Sequence, residues 1–235
     1  MKTASEIATA FKQVESHTIL ELVEASGFEI EAGVLLDGNA TPWKALSESK
    51  PDWRLAVEGL DSSWQVSLSA IRRHDISLVL VDGPETQVEK FCEMSAELPG
   101  FIQGRMFDGQ YDRIQNLTSV AEFESAGLST LGLELVSNGL PFPLEEMVVD
   151  TSKNPGRRLL RDGFIECIGH KMWIARQLVE RLSIDLEKLA SLGSVDMLPS
   201  GIRVTFSETP FTDDSCNEVQ NAIREHLFGS VPVGQ

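Results

Sequence analysis

The spacing of apolar positions divides the chain into helix-like and strand-like stretches. Ile7, Ala10, Phe11 and Val14, then Ile19, Leu22 and Val23, recur at helical intervals and predict helix over residues 4–25. Phe28–Gly38 begins by alternating and ends in a turn signal, the pattern of a strand. Thr41–Trp53 reads as a loop with a short helix, Arg54–Ser63 as a strand with a helix entry at Asp61 or Ser62, and residues 64–73 as helix. The clearest unit is DISLVLVDGPETQVEKFCEMSAEL (Asp75–Leu98), a β-branched run ending in Asp-Gly-Pro and then a helix with Val88, Phe91 and Cys92 inward. Pro84 and Glu85 stand where helix starts favour them, and Asp82 reads as the N-cap. A strand as apolar as Ile76–Val81 is expected to be covered on both faces. Pro99–Leu117 predicts two short strands about a loop.

Breakers crowd Ser137–Glu146 and Asp150–Arg158, which places a boundary between lobes near residues 137–157. Beyond it Arg157–Cys167 begins extended, with Gly163 as a break. Ile168, Met172, Ala175, Val179 and Leu182 then form a core-facing helical stripe. Ser183–Gly193 is a short helix stopped by Gly193, and Gly201–Glu208 is a strand. Asp213–Gly229 is a helix with Ser215 and Glu218 as a capping box and Val219, Ala222, Ile223 and Leu227 inward. A helix, strand, loop, helix order recurs in residues 64–98 and 168–228. The expected fold is therefore α+β, mixed strands and helices in two similar α/β lobes. The acidic N-terminal lobe spans 1–145 and the C-terminal lobe 146–235, with one continuous domain as the alternative.

Composition narrows the function. The 235 residues are 42% hydrophobic, enough for a sizeable core. The apolar runs stay far short of the ~20 residues of a membrane span. The N-terminal stretch carries Glu6 and Glu15 and no apolar run, so it does not read as a signal peptide. Three dispersed cysteines, Cys92, Cys167 and Cys216, fit free thiols in a reducing cytoplasm. The net charge is −16, and it is concentrated: residues 1–150 hold 25 acidic and 10 basic residues, whereas residues 151–235 hold 11 and 10. Such a field repels nucleic acid and anionic membranes and speeds encounter with basic partners.

Motifs for chemistry are sparse. There is no glycine-rich phosphate or dinucleotide loop, no zinc spacing, and GLSTLG (Gly127–Gly132) misses a nucleophile elbow by one residue. No cofactor is expected. Glu166 and His170, four apart, would share a helix face and could hold a divalent metal or act as an acid–base pair. An enzyme centred on them is the alternative reading. Gly169 weakens a helix there, no third ligand stands nearby, and Ile168 and Met172 indicate burial, so a structural role is favoured. Cys167 reads as a buried, inert thiol. Trp43, Trp53 and Trp64 fall among acidic and breaker residues, and Phe107, Asp108, Tyr111 and Asp112 fall on an expected loop. Aromatic anchors beside steering carboxylates make interface material. The expected partner-binding residues are Asp52, Trp53, Glu58, Asp61, Asp108, Tyr111 and Asp112. Trp173, on the long helix, reads as core.

Gly156–Leu178, with Leu198–Phe211 and Val219–Gly229, resembles the C-terminal half of a family of bacterial immunity proteins. That family is the one numbered fifty-two among the immunity proteins of polymorphic toxins. The matching positions are Gly163, Glu166, Gly169, Trp173 and Pro210, and they cover about the last 80 residues. The resemblance implies a cytoplasmic protein without catalysis. Such a protein binds and neutralises a cognate toxin with a restriction-endonuclease-like nuclease domain, often one delivered by a type VI secretion system. It further implies that the five matching positions determine the fold. A basic toxin is the expected partner.

Overall fold

The computed structural model describes residues 4–12, 14–28, 32–34, 40–42, 54–58 and 64–231. Fourteen strands are present among them: β1 (Ala4–Phe11), β2 (Ala32–Val34), β3 (Ala40–Pro42), β4 (Arg54–Glu58), β5 (Gln65–Ile71), β6 (Ile76–Pro84), β7 (Phe101–Phe107), β8 (Leu135–Ser137), β9 (Met147–Val149), β10 (Leu159–Arg161), β11 (Phe164–Glu166), β12 (Lys171–Ala175), β13 (Ser194–Met197) and β14 (Gly201–Thr205). The α-helices are α1 (Ser16–Ala25), α2 (Glu85–Ala96), α3 (Gly109–Asn116), α4 (Val120–Ser125), α5 (Arg176–Leu182), α6 (Leu186–Leu192) and α7 (Asn217–Phe228). Eight strands form one sheet in the order β13-β14-β12-β7-β1-β6-β5-β4. Every pairing in it is antiparallel. The fold is α+β.

Side chains alternate across the sheet and feed two cores. Ile7 and Phe11, Val66 and Leu68, Val79 and Val81, Met106 and Trp173 pack against α1 and α2 on one face. Met172, Ile174, Ile202 and Val204 point the other way, onto Leu178, Leu189, Ile223 and Leu227 of α5–α7. Gly104, in central β7, lets α2 lie close. A Cβ there would stand 2.4 Å from Cys92 Sγ and 3.2 Å from Thr9 Cγ2. Burial, then the charges of Glu93 and Glu89, pushes the Cys92 thiol well above its ordinary pKa. It behaves as a small hydrophobe.

Several expected elements are replaced. Residues 4–25 split into β1 and α1. Residues 7–11 are all buried, Thr9 included, so β1 is covered on both faces and shows no alternation to set against the helical spacing. Residues 64–73 are not helix: Trp64, Val66 and Leu68 are the buried positions, two apart, and β5 runs beside β6. The expected long helix over 168–182 breaks at Ala175 into β12 and α5. Pro99–Leu117 holds one strand, β7, and then α3, because Asp108 caps the helix by accepting from Tyr111 N at 2.7 Å. Asp82 lies within β6 opposite Glu6 of β1, not at a helix cap. β6 is deeply buried through Val79 and Val81, whereas Leu78 and Leu80 are only partly covered. Gly193 is extended (φ −176°) and caps no left-handed turn. Asp213, not Ser215, supplies the hydrogen bond before α7, accepting from Ser215 N at 2.8 Å. Val219 and Ala222 are exposed, and the inner face of α7 is Gln220, Ile223, Arg224, Leu227 and Phe228.

Two similar lobes are also replaced, by a single sheet. β7 pairs with β12 through Met106↔Lys171 to Gln103↔Ile174, so the sheet crosses the expected boundary without a break. Residues 64–98 run strand, 3-10 turn, strand, helix, whereas 168–228 run strand, two helices, two strands, 3-10 turn, helix. The two halves are not a repeat.

Candidate partner-binding surface

The constellation around Glu166 resolves into the inside of the fold. Arg157–Cys167 forms the β10–β11 hairpin, with Gly163 at φ +74° in its turn. Glu166 is buried, and its carboxylate accepts from Arg161 Nε at 2.6 Å and lies 3.7 Å from Arg224 Nη1. Burial first, then the like charge of Arg157, lowers the Arg224 pKa to about 10. Arg224 also donates from Nε to Pro155 O at 2.9 Å and from Nη2 to Arg157 O. Next to this cluster Arg105 donates to Asp112 Oδ1 at 2.6 Å and to Ile168 O at 3.0 Å. Its guanidinium lies 4.0 Å from the Phe107 ring centroid. Gln103 exchanges hydrogen bonds with Ile165 and donates to Cys167 Sγ at 3.3 Å. These bonds stitch residues 155–168 across the open face of the sheet to α3 and α7.

Cys167 is buried, and burial leads the causes that raise its pKa. It is an inert thiol. His170 does not share a helix face with Glu166, because it stands in the connection to β12, with its N–H donating to Met106 O at 3.1 Å. Its ring is 1% exposed, and neither ring nitrogen has a partner among the described residues. Burial, then the Lys171 charge, lowers its pKa to about 4. The folded pKa thus lies below the ordinary value near 6.5, so the unfolded chain binds more protons between them. This contribution is complete above about pH 6.5 and is lost as pH falls toward 4. From this group alone, stability should drop by about 2 kcal/mol between pH 7 and pH 5. Urea unfolding of the wild type and His170→Gln at both pH values measures it, and equal pH dependence in the two proteins would assign the titration elsewhere.

The expected interface residues part company. Tyr111 and Asp112 are 8% and 6% exposed and face inward. Tyr111 Oη accepts from Gln220 Nε2 at 2.8 Å, and Asp112 holds Arg105 and, at 3.6 Å, Arg158. Both are corrected from partner-binding to internal residues, because capping by Asp108 turns the expected loop into α3. Asp108 is partly exposed. Glu58 ends β4, and Asp52, Trp53, Asp61 and Trp43 lie outside the described residues. Trp64 is buried and tilted against Phe28 at 5.7 Å. Trp173 is fully buried, on a strand instead of a helix, and Pro210 immediately precedes the buried Phe211. Among the described residues no three His, Cys, Asp or Glu side chains are grouped to hold a metal ion, and no helix is long and apolar enough to cross a membrane.

A different segment carries the surface feature. β8 and β9 form a separate two-stranded ribbon, overlapping the breaker-rich stretch expected to be a boundary between lobes. Its base is anchored: Val149 packs with Leu117 and Phe123, and Val149 N donates to Thr118 O at 2.8 Å. Its far end is bare: Phe142 is 90% exposed, Leu144 65%, Met147 53% and Leu140 51%, and Leu131, before β8 on the base side, is 94% exposed. The loop is held by its own bonds: Asn138 N to Glu146 O at 2.9 Å, Asn138 Nδ2 to Leu144 O at 3.0 Å, and Leu144 N to Pro141 O at 2.9 Å. No Lys or Arg occurs between Arg113 and Lys153, whereas Glu122, Glu124, Glu134, Glu145, Glu146 and Asp150 do. Lys153 neutralises Glu134 at 2.7 Å. The other five carboxylates have no ion pair with a described residue. The sequence signal for this surface is large apolar side chains within an acidic, breaker-rich run, a composition that a lobe boundary does not need.

Comparison of the chain with family models, with curated proteins and with solved structures yields no match.

Proposed function

We propose that the chain is a binding protein without catalysis that neutralises a basic protein partner, a nuclease-like bacterial toxin, through the β8–β9 ribbon. The observation that carries the reading is the apolar tip of that ribbon framed by carboxylates. Exposed apolar clusters of this kind mark interaction sites, and a polar rim of one sign selects a partner of the other. The internally bonded loop supports the same reading, because a surface ordered before binding loses little conformational freedom on docking. A nuclease groove that grips phosphate is basic, so the acidic ribbon and the charge of residues 1–150 steer toward it. In this reading Gly163, Glu166, Gly169 and Trp173 serve the fold, as the hairpin turn, the buried carboxylate, the close strand approach and the core anchor. Toxin immunity places the protein in the cytoplasm, beside the toxin it silences.

The test pairs the wild type with Phe142→Ser/Leu144→Ser. Each is used to capture partners at low salt, and a captured protein is purified and titrated back. One basic protein is expected, bound one to one. Its affinity should fall at least ~100-fold in the double variant, as for loss of a central apolar anchor, with unfolding unchanged. Its nucleic-acid cleavage should stop at stoichiometric wild-type protein. Equal affinity in the double variant would remove the ribbon from the interface. Undiminished cleavage in the complex would sink the inhibitor reading.

A further inference from the structure

The opposite sign of charge gathers at one end of the sheet, in a cleft of about 890 Å³. Five cations line it: Lys12 after β1, Arg72 and Arg73 in the 3-10 turn between β5 and β6, and Arg176 and Arg181 on α5. All five residues are exposed. Two carboxylates line it as well, Asp75 and Asp162, and Asp162 Oδ1 is taken up by His74 Nδ1 at 3.3 Å. Five of the chain's 20 Lys and Arg residues thus meet in one concavity of a protein with net charge −16. The floor is apolar, made by Phe101, Ile102 and Leu178. The walls are tied by backbone bonds: Lys12 N to Gly100 O at 2.8 Å, Gly163 N to His74 O at 3.0 Å and Arg176 N to Ser200 O at 2.9 Å. Arg176 Nη2 also donates to Pro199 O at 3.0 Å, which fixes its direction along the rim.

We propose that this cleft is a binding site for a small phosphorylated molecule of about nucleotide size, its phosphates on the cationic rim and its apolar part on the floor. Arg and Lys heads on a concave rim recognise phosphate oxygens, and the volume lies within the ~300–1,000 Å³ of small-molecule sites. The charge outside the cleft sets the size of the ligand. A long polyanion would overhang onto surface that repels it, whereas a ligand contained in the cleft meets a lining in which five cations outnumber two carboxylates. The site lies apart from the ribbon residues of the proposed partner surface, and it stands whether or not that reading holds.

The experiment is calorimetric titration of the full chain, free of magnesium and at low salt, with ATP, with inorganic triphosphate and with a 20-base-pair DNA duplex as probes. ATP is expected to bind once per chain, more tightly than triphosphate. Lys12→Ser/Arg73→Ser should raise the Kd at least tenfold. Both positions are exposed turn residues, so the variant should unfold as the wild type does. Lys188→Ser, on α6, should leave the Kd unchanged. Absence of ATP binding at millimolar concentration, or the same Kd in the double variant, would overturn the site. Equal affinity for triphosphate and ATP would overturn the role of the floor. Duplex binding tighter than ATP with the same residue dependence would overturn the small ligand in favour of nucleic acid.

Discussion

Replacement of Asp112 by Asn should destabilise the protein by about 3–5 kcal/mol, the cost of removing one partner from a buried ion pair. Arg105 is 2% exposed in the middle of the sheet, and Asp112 Oδ1, at 2.6 Å, is the carboxylate that compensates it. The amide keeps the shape and removes the charge, and the guanidinium cannot shed its proton to escape the cost. Arg105 would retain Ile168 O and the Phe107 ring, which are too weak to solvate a full charge. Urea unfolding at pH 7 measures the loss. The double variant Arg105→Met/Asp112→Leu should recover most of it, because paired removal leaves no charge behind. A loss below about 1 kcal/mol in the single variant would mean that Arg105 reaches water, and that the cluster is less closed than the geometry implies.

The second large effect separates two glycines of the same segment. Gly169→Ala should cost more than about 3 kcal/mol, or prevent accumulation of folded protein, through overpacking against backbone that cannot yield. Its Cβ would stand 2.2 Å from Met106 O, the acceptor for His170 N, and 3.0 Å from Arg105 Cβ. Gly163→Ala should cost only about 1–2 kcal/mol, for the left-handed backbone at φ +74°. The nearest atom there is Arg181 Nη1, 3.1 Å away at the end of a flexible side chain. Thermal and urea unfolding of both variants give the comparison. Equal losses would show that the β7–β12 crossing opens to accept a methyl group.

These glycines also mark how far the sequence can be read. The β6–α2 unit, the break at Gly163 and strand β14 follow from β-branched runs and turn residues, signals that act within a few positions. Strands β1, β5 and β12 do not. In β12, Met172 and Ile174 face one core and Trp173 the other, so a strand buried on both sides has no period and borrows the helical spacing of its neighbours. The Asp108-Gly109 pair looks like a turn until its carboxylate is seen to cap α3. The ribbon shows in the sequence only as a breaker-rich stretch, which fits a boundary between lobes as well as the turn of a hairpin. The cationic cleft was not visible at all. Its residues lie at positions 12, 72, 73, 176 and 181, and only the strand order brings them together.

The strand order has a consequence for how the chain assembles. β1, the earliest of the described strands, lies between β6 and β7 in the interior of the sheet, and β12 joins only across β7. An emerging polypeptide therefore carries Ala4–Phe11 without a partner until Pro84 has followed and with one edge unpaired until Phe107 has, so a long loop closes before the central ladder begins to form. Short loop closure favours the local β5–β6–α2 unit as the first to form, with β1 added at the free edge of β6. A ribosome-bound fragment ending before β7 would expose the edge of β1 that β7 later covers, which makes the interval between residues 84 and 107 the point at which synthesis is most open to misassociation.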